Sequence, residues 1–209
     1  MCEEAAMNTK STELAPKLRF EHLVKVISSQ RFLQKQGIGN EIPFFICPFP
    51  PAEAAEIGSF RANLQNQLAN KGVNVLEIDL YDLTIVMLRK RQLLEQVLQV
   101  ESTVPKSELM ELLQGVLDPE QHLIPEIAAA LSDREFDVLF LSGIGEVFPY
   151  IRSHNVLNNL QSTAKEKPTV MFFPGTYTHA LASGASLNLF DRLHDDKYYR
   201  AFNIFHFEV

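Results

Sequence analysis

The sequence predicts a single α/β domain of three layers. Its core is a mainly parallel, Rossmann-like sheet of about five strands, with helices on both faces and extra helices in the middle. Three observations lead there. The runs 42–47, 136–141 and 169–173 are almost continuously apolar, the pattern of strands buried on both faces. Segments with apolar residues at helical spacing separate the runs, as crossovers between parallel strands require. The runs 136–141 and 169–173 each end in a turn containing glycine, and in a parallel sheet those turns share the edge where such folds take ligands.

Residues 1–16 are polar, without period, and read as a disordered leader ahead of a domain at 17–209. From Lys17, Phe20, Leu23, Val24 and Ile27 recur at helical spacing, and a short helical piece, 30–36, stops at Gly37. The first strand is 42–47, bounded by prolines. Pro51 suits the first turn of a helix, where its missing N–H costs nothing, and that helix runs to Lys71 before Gly72. Residues 73–80 are rich in β-branched side chains and form the second strand. Three helices follow, at 82–99, 105–117 and 118–132. Asp118 and Pro119 start the third, with Gln121 placed for a capping box. The segment 82–132 reads as a helical insertion or subdomain. Strand 136–141, helix 147–163, strand 169–173, a loop to 184, a short helix at 187–193 and a last strand at 199–207 complete the chain.

Composition narrows the function. The 209 residues carry a net charge of -7, which argues against broad nucleic-acid binding through neutralised phosphates. DNA contact is expected to be indirect or weak. No segment approaches the roughly 18 apolar residues that span a bilayer, and the N-terminus lacks the basic and apolar regions of a signal peptide. The two cysteines, Cys2 and Cys47, do not suggest a disulfide. A cytoplasmic protein is expected.

Each candidate for chemistry has a plainer reading. The turn Ser142-Gly143-Ile144-Gly145 could cradle a phosphate, but no GxxxxGK[ST] pattern exists, Phe148 breaks GxGxxG, and Glu146 would repel an anion. Pro174-Gly175-Thr176-Tyr177-Thr178-His179 is either a binding loop or a turn in which Gly175 supplies an unusual backbone angle. Asp79 and Asp82 could hold Mg²⁺, yet Asp82 equally suits a helix N-cap. His194-Asp195-Asp196 reads as a solvated turn, and Cys47 as a buried thiol without a base. No catalytic residue, cofactor or metal site is assigned, which leans against an enzyme; Gly143, Gly145 and Gly175 are the weak candidates for a ligand. Arg152, Arg192 and Arg200 lie in or beside the aromatic-rich last third. With Tyr177, His179 and Tyr199 they make the candidate interaction surface, since Tyr and Arg are enriched in interface hot spots.

Several segments, in order, resemble the BrxB family of bacteriophage exclusion (BREX) defence systems. They are Glu41-Ile42-Pro43-Phe44, Ile78-Asp79-Leu80-Tyr81-Asp82-Leu83, the stretch from Leu141 to Arg152, Phe172-Phe173-Pro174-Gly175-Thr176-Tyr177, Leu187-Asn188-Leu189-Phe190 and Tyr198-Tyr199-Arg200-Ala201-Phe202. The resemblance covers roughly 17–207. It implies a bacterial, cytoplasmic part of a system that methylates host DNA and blocks unmethylated phage. Such systems also contain a methyltransferase, a large ATPase, a Lon-like protein and a PglZ protein. The expected role is a non-catalytic assembly protein partnering PglZ and other BREX components. The rival reading is a nucleotide- or nucleic-acid-binding protein with a degenerate nucleotide-binding core.

Overall fold

The computed structural model describes residues 15–36, 43–180, 184–195 and 201–209. Its centre is a parallel sheet of β1 (Phe44–Phe49), β2 (Val75–Asp79), β3 (Val138–Ser142), β4 (Thr169–Ala180) and β7 (Phe202–Asn203), in the order β2-β3-β4-β1-β7. Two further strands, β5 (Gly184–Leu189) and β6 (Leu193–Asp195), extend β4 as an antiparallel hairpin.

The alternation along β1 explains why that sheet is buried on both sides. Phe44 and Ile46 point into one core and Phe45, Cys47 and Phe49 into the other. Strand β3 divides in the same way, with Leu139 and Leu141 opposite Val138 and Phe140. Helices α1 (Pro16–Ile27), α2 (Gln30–Leu33) and α3 (Ile57–Ala69) cover one face through Leu23, Phe32, Leu64 and Leu68. The other face is covered by α4 (Leu80–Lys90), α5 (Leu94–Glu101), α6 (Lys106–Val116), α7 (Ile124–Ser132) and α8 (Ser153–Leu160). Met87, Leu113, Ile127, Val156 and Leu160 anchor most of these helices there. The crossover from β1 thus lies on one face and those from β2 and β3 on the other.

Several elements differ from the expectations. The loop expected to reach 184 is strand through Ala180, and of the last strand, expected at 199–207, the described residues form only Phe202–Asn203 before a 3₁₀ turn at Ile204–His206. Four more differ, each for a local reason. Pro51 opens a 3₁₀ turn, Pro51–Glu53, and the helix begins only at Ile57. The helix expected over 82–99 is two helices, broken at Gln92, whose φ is +57°. Residues 143–151 make turns rather than a helix, because Pro149 has no N–H to donate and Arg152 is extended; α8 starts at Ser153. The expected helix at 187–193 is the β5–β6 hairpin. Its turn places Phe190 and Asp191 at φ +56° and +58°, and the Arg192 N–H donates to the Leu189 carbonyl at 3.1 Å. Two successive positive φ angles belong to a type I′ turn, which suits the twist of hairpin strands.

Strand β4 is where the two sheets join. Residues Thr169 to Pro174 pair in parallel with β1, and Gly175 to Ala180 pair antiparallel with β5. Gly175 sits at the changeover with φ +138°, a backbone state that L side chains rarely adopt. A Cβ there would run into the carbonyl oxygen of Asn188 on β5.

Candidate functional site

The carboxyl edge of β2 and β3 holds a compact ionic cluster. Asp79 ends β2 and is itself the N-cap of α4. Its Oδ1 accepts from the N–H groups of Tyr81 and Asp82 at 3.0 and 3.3 Å. Asp82, the expected cap, is instead in the first helical turn. The buried Ser142 hydroxyl lies 3.0 Å from Asp79 Oδ2 and 2.8 Å from Glu77 Oε1. Arg61 of α3 donates from Nε to Glu77 Oε1 at 2.7 Å and reaches Asp79 Oδ2 at 3.7 Å, while Gln65 donates to the other Glu77 oxygen. Both carboxylates are thus already held by protein donors. No group of three or more His, Cys, Asp or Glu among the described residues could hold a metal ion.

The glycine turns pack against this cluster and the hairpin. Gly143, at φ +74°, lets the turn after β3 lie on the capped start of α4. A Cβ would fall 2.5 Å from Asp79 Oδ1 and 2.9 Å from the Tyr81 nitrogen. The donors at this helix end, which could have met a phosphate, therefore meet a carboxylate of the same chain. A Cβ on Gly145 would lie 2.9 Å from the Phe190 ring and 3.1 Å from Pro174. Phe190 holds its unfavourable backbone angle as its ring is packed on this turn. The cavity left between Phe49, Arg61, Glu146, Pro174 and Phe190 is only about 200 Å³.

Of the residues expected on an interaction surface, the structure brings two together. Arg152, just before α8, and Arg192, after the hairpin turn, are both exposed and line one groove of about 270 Å³. Phe148, Phe173, Leu187 and Leu189 also line it, with Leu193, which is 41% exposed, and His194. Tyr177 is a correction. It is 2% exposed, and its hydroxyl donates to the Ala201 carbonyl at 2.6 Å. Burial pushes its hydroxyl pKa upward, so it stays a proton donor. Tyr177 fastens the hairpin extension of β4 to the segment entering β7 and is not a surface residue. His179 pairs with Ala185 in the ladder, but its side chain lies outside the described structure. Tyr199 and Arg200 lie outside the described residues, as does Asp196.

Cys47 is buried and free, and burial raises its thiol pKa from 9.0 to about 12 despite the nearby Arg19 charge. It is a neutral packing group at physiological pH, not a thiolate nucleophile. Arg19 and Glu53 form an ion pair that none of the expected site residues joins. Arg19 is 4% exposed and donates from one nitrogen to both Glu53 oxygens. A signal was available: Arg19 stands on the buried stripe of α1 with Leu23, Val26 and Ile27.

The fold and these sites define an open parallel α/β domain extended by an antiparallel hairpin, with a cationic groove where hairpin and sheet meet. The sequence model described as "BREX protein BrxB" matches residues 76–204. A BREX protein BrxB of Bacillus cereus (strain H3081.97) is 32% identical over 191 residues, covering 89% of this chain and 95% of that protein. One of Escherichia coli O9:H4 (strain HS) is 30% identical over 186 residues, covering 89% and 90%. The chain belongs to the BrxB family, and it is accordingly a component of a BREX phage-defence system. No solved structure matches it at a significant level. Among the described residues, no helix is long and apolar enough to cross a membrane.

Proposed function

We propose that this chain is a non-catalytic assembly protein of the bacterial cytoplasm that holds a PglZ-type partner in the BREX system through its hairpin face. The observation that carries this reading is the groove where Arg152 and Arg192 stand beside an apolar wall with Leu193 at its rim. Arginine beside exposed apolar surface is the composition of interface hot spots. The two guanidinium groups come from separate elements and concentrate positive charge on a chain whose net charge is -7. They favour a partner with an acidic, partly apolar surface.

The rival nucleotide reading has less support. The cavity at the glycine turns is about 200 Å³, below the roughly 300 Å³ at which small-molecule sites begin. The start of α4 is also capped from within the chain. Pull-down of the tagged full-length chain from cells expressing a complete BREX operon tests the proposal. A stoichiometric PglZ-type protein is expected. The double variant Arg152→Glu with Arg192→Glu should lose it at least tenfold, with an unchanged melting temperature. Equal capture by wild type and variant refutes the groove as the docking surface, and capture of no BREX component refutes the assembly role.

A further inference from the structure

The arginine groove carries positive charge that the chain itself does not neutralise. Arg19 pairs with Glu53, and Arg61 with Glu77 and Asp79. Arg152 and Arg192 have no ion pair among the described residues. No Asp or Glu lines their groove, so its complement is an anionic group. Both arginines stand on fixed backbone. The Arg152 carbonyl accepts from the Asn155 and Val156 N–H groups at 3.0 and 3.2 Å, and the Arg192 N–H donates to the Leu189 carbonyl at 3.1 Å. Only the two side chains need to order when an anion arrives, which limits the entropic cost of binding.

An apolar row runs through the same groove. Leu187 and Leu189 of β5 are buried, and Leu193 of β6 pairs with Leu189. Paired residues share a face of the ladder, so Leu193 carries that row from the core out to the surface, where it is 41% exposed. Phe148 and Phe173 also line the groove. A free phosphate or sulfate would meet the arginines and leave this apolar wall wet.

Size selects among ligands that carry both groups. At about 270 Å³ the groove lies below the roughly 300 Å³ at which drug-sized sites begin, so it takes a residue-sized group. Adjacent residues of an extended chain point to opposite faces, and those on one face stand about 6–7 Å apart. An internal acidic residue and its apolar neighbour therefore do not enter one small groove together. The last residue of a chain carries a carboxylate and a side chain on a single Cα. Its two carboxylate oxygens can accept from both guanidinium groups. Resting on the docking reading above, we propose that the groove binds the C-terminal residue of a partner protein, its α-carboxylate between Arg152 and Arg192 and its aliphatic side chain against Leu189 and Leu193.

The test is an NMR titration of the ¹⁵N-labelled full-length chain with four N-acetylated hexapeptides. One ends in leucine with a free carboxylate, and the second is its C-terminal amide. The third ends in glycine with a free carboxylate. The fourth is amidated and carries glutamate next to leucine at its centre. The first should shift the Arg192 and Leu193 amide resonances saturably, with a Kd at least tenfold below those of the other three. Arg152→Gln and Arg192→Gln, both at exposed positions, should each weaken it at least tenfold and melt like wild type. Leu193→Ser should bring it to the affinity of the glycine-ended peptide. The proposal is overturned if the leucine-ended acid gives no saturable shift, if the amide or the internal glutamate binds as tightly, or if any of the three variants binds it like wild type. The docking reading is decided separately, by capture of the PglZ-type protein with wild type and with the Arg152→Glu, Arg192→Glu double variant.

Discussion

Replacing Tyr177 with phenylalanine removes one oxygen and keeps the ring. That oxygen donates to the Ala201 carbonyl at 2.6 Å in a buried setting. The ring belongs to the core that also holds Leu187, Leu189 and Ala201. In the variant the ring packing survives, but the carbonyl loses a donor. Leaving a buried acceptor unpaired costs about 1–3 kcal/mol, with about 2 as the working figure. For a chain of this size that lowers Tm by about 4–8 °C. With a urea m-value of about 3 kcal/mol/M, the midpoint moves down by about 0.7 M. Urea unfolding followed by far-UV circular dichroism measures this, with partner capture run on the folded variant. The expected result is a lower midpoint, an unchanged m-value and undiminished capture. A midpoint within about 0.1 M of wild type (about 0.3 kcal/mol at that m-value) refutes the reasoning. So does loss of capture at unchanged stability, which would return Tyr177 to the surface.

Three further outcomes are expected. Gly175→Ala combines a strained positive φ with a clash against the Asn188 carbonyl, so it should destabilise by about 2–6 kcal/mol, read by chemical denaturation; a loss under 1 kcal/mol contradicts the changeover geometry. Asp79→Ala should cost about 0.5–2 kcal/mol through the lost cap of α4, and Asp79→Asn should recover much of it because asparagine also caps; equal losses would place the effect in the ionic cluster instead. The Cys47 thiol has a folded pKa raised from 9.0 to about 12, so its contribution is complete below pH 9 and is lost as pH rises from there toward 12. Between those values only the unfolded chain releases the proton. Wild type should therefore lose up to about 1.4 kcal/mol per pH unit more than Cys47→Ala, and parallel alkaline profiles would exclude a buried neutral thiol.

Much of the architecture was legible in local pattern. Each continuous apolar run became a strand of the parallel sheet, because a strand covered on both faces has no polar side to show. Gly72 stops α3 at φ +78°, and the Asp118 carboxylate accepts from the Gln121 N–H at 2.8 Å, both as their residue types foretell. The hairpin was not legible. Phe190-Asp191 occupies a turn that usually advertises itself with Asn-Gly, and the ring of Phe190 is held there by Gly145 and Pro174, 45 and 16 positions away. The strand expected to end at 173 runs on through Pro174. That proline is the last residue of the parallel ladder, opposite Phe49, and its carbonyl accepts from the Phe190 N–H at 2.8 Å.

The candidate site divides along the same line. Sequence alone determined the class of fold, the family, and the presence of glycine turns and arginines in the last third, since these depend on residue type and on spacing along the chain. It placed Tyr177, Arg152 and Arg192 on one surface because they share one region of sequence. Tertiary structure decided otherwise for Tyr177 and brought the two arginines together. Pairing the hairpin edge to edge with the extension of β4 turns Tyr177 into the core with Leu187, Leu189 and Ala201 and leaves Arg192 and Leu193 exposed at the hairpin's end. It also decided the meaning of Gly143, which makes room for a carboxylate cap rather than a phosphate, and it set Arg19 beside Glu53, 34 residues apart. Burial and pairing are properties of neighbours in space, and those neighbours are far apart in the chain.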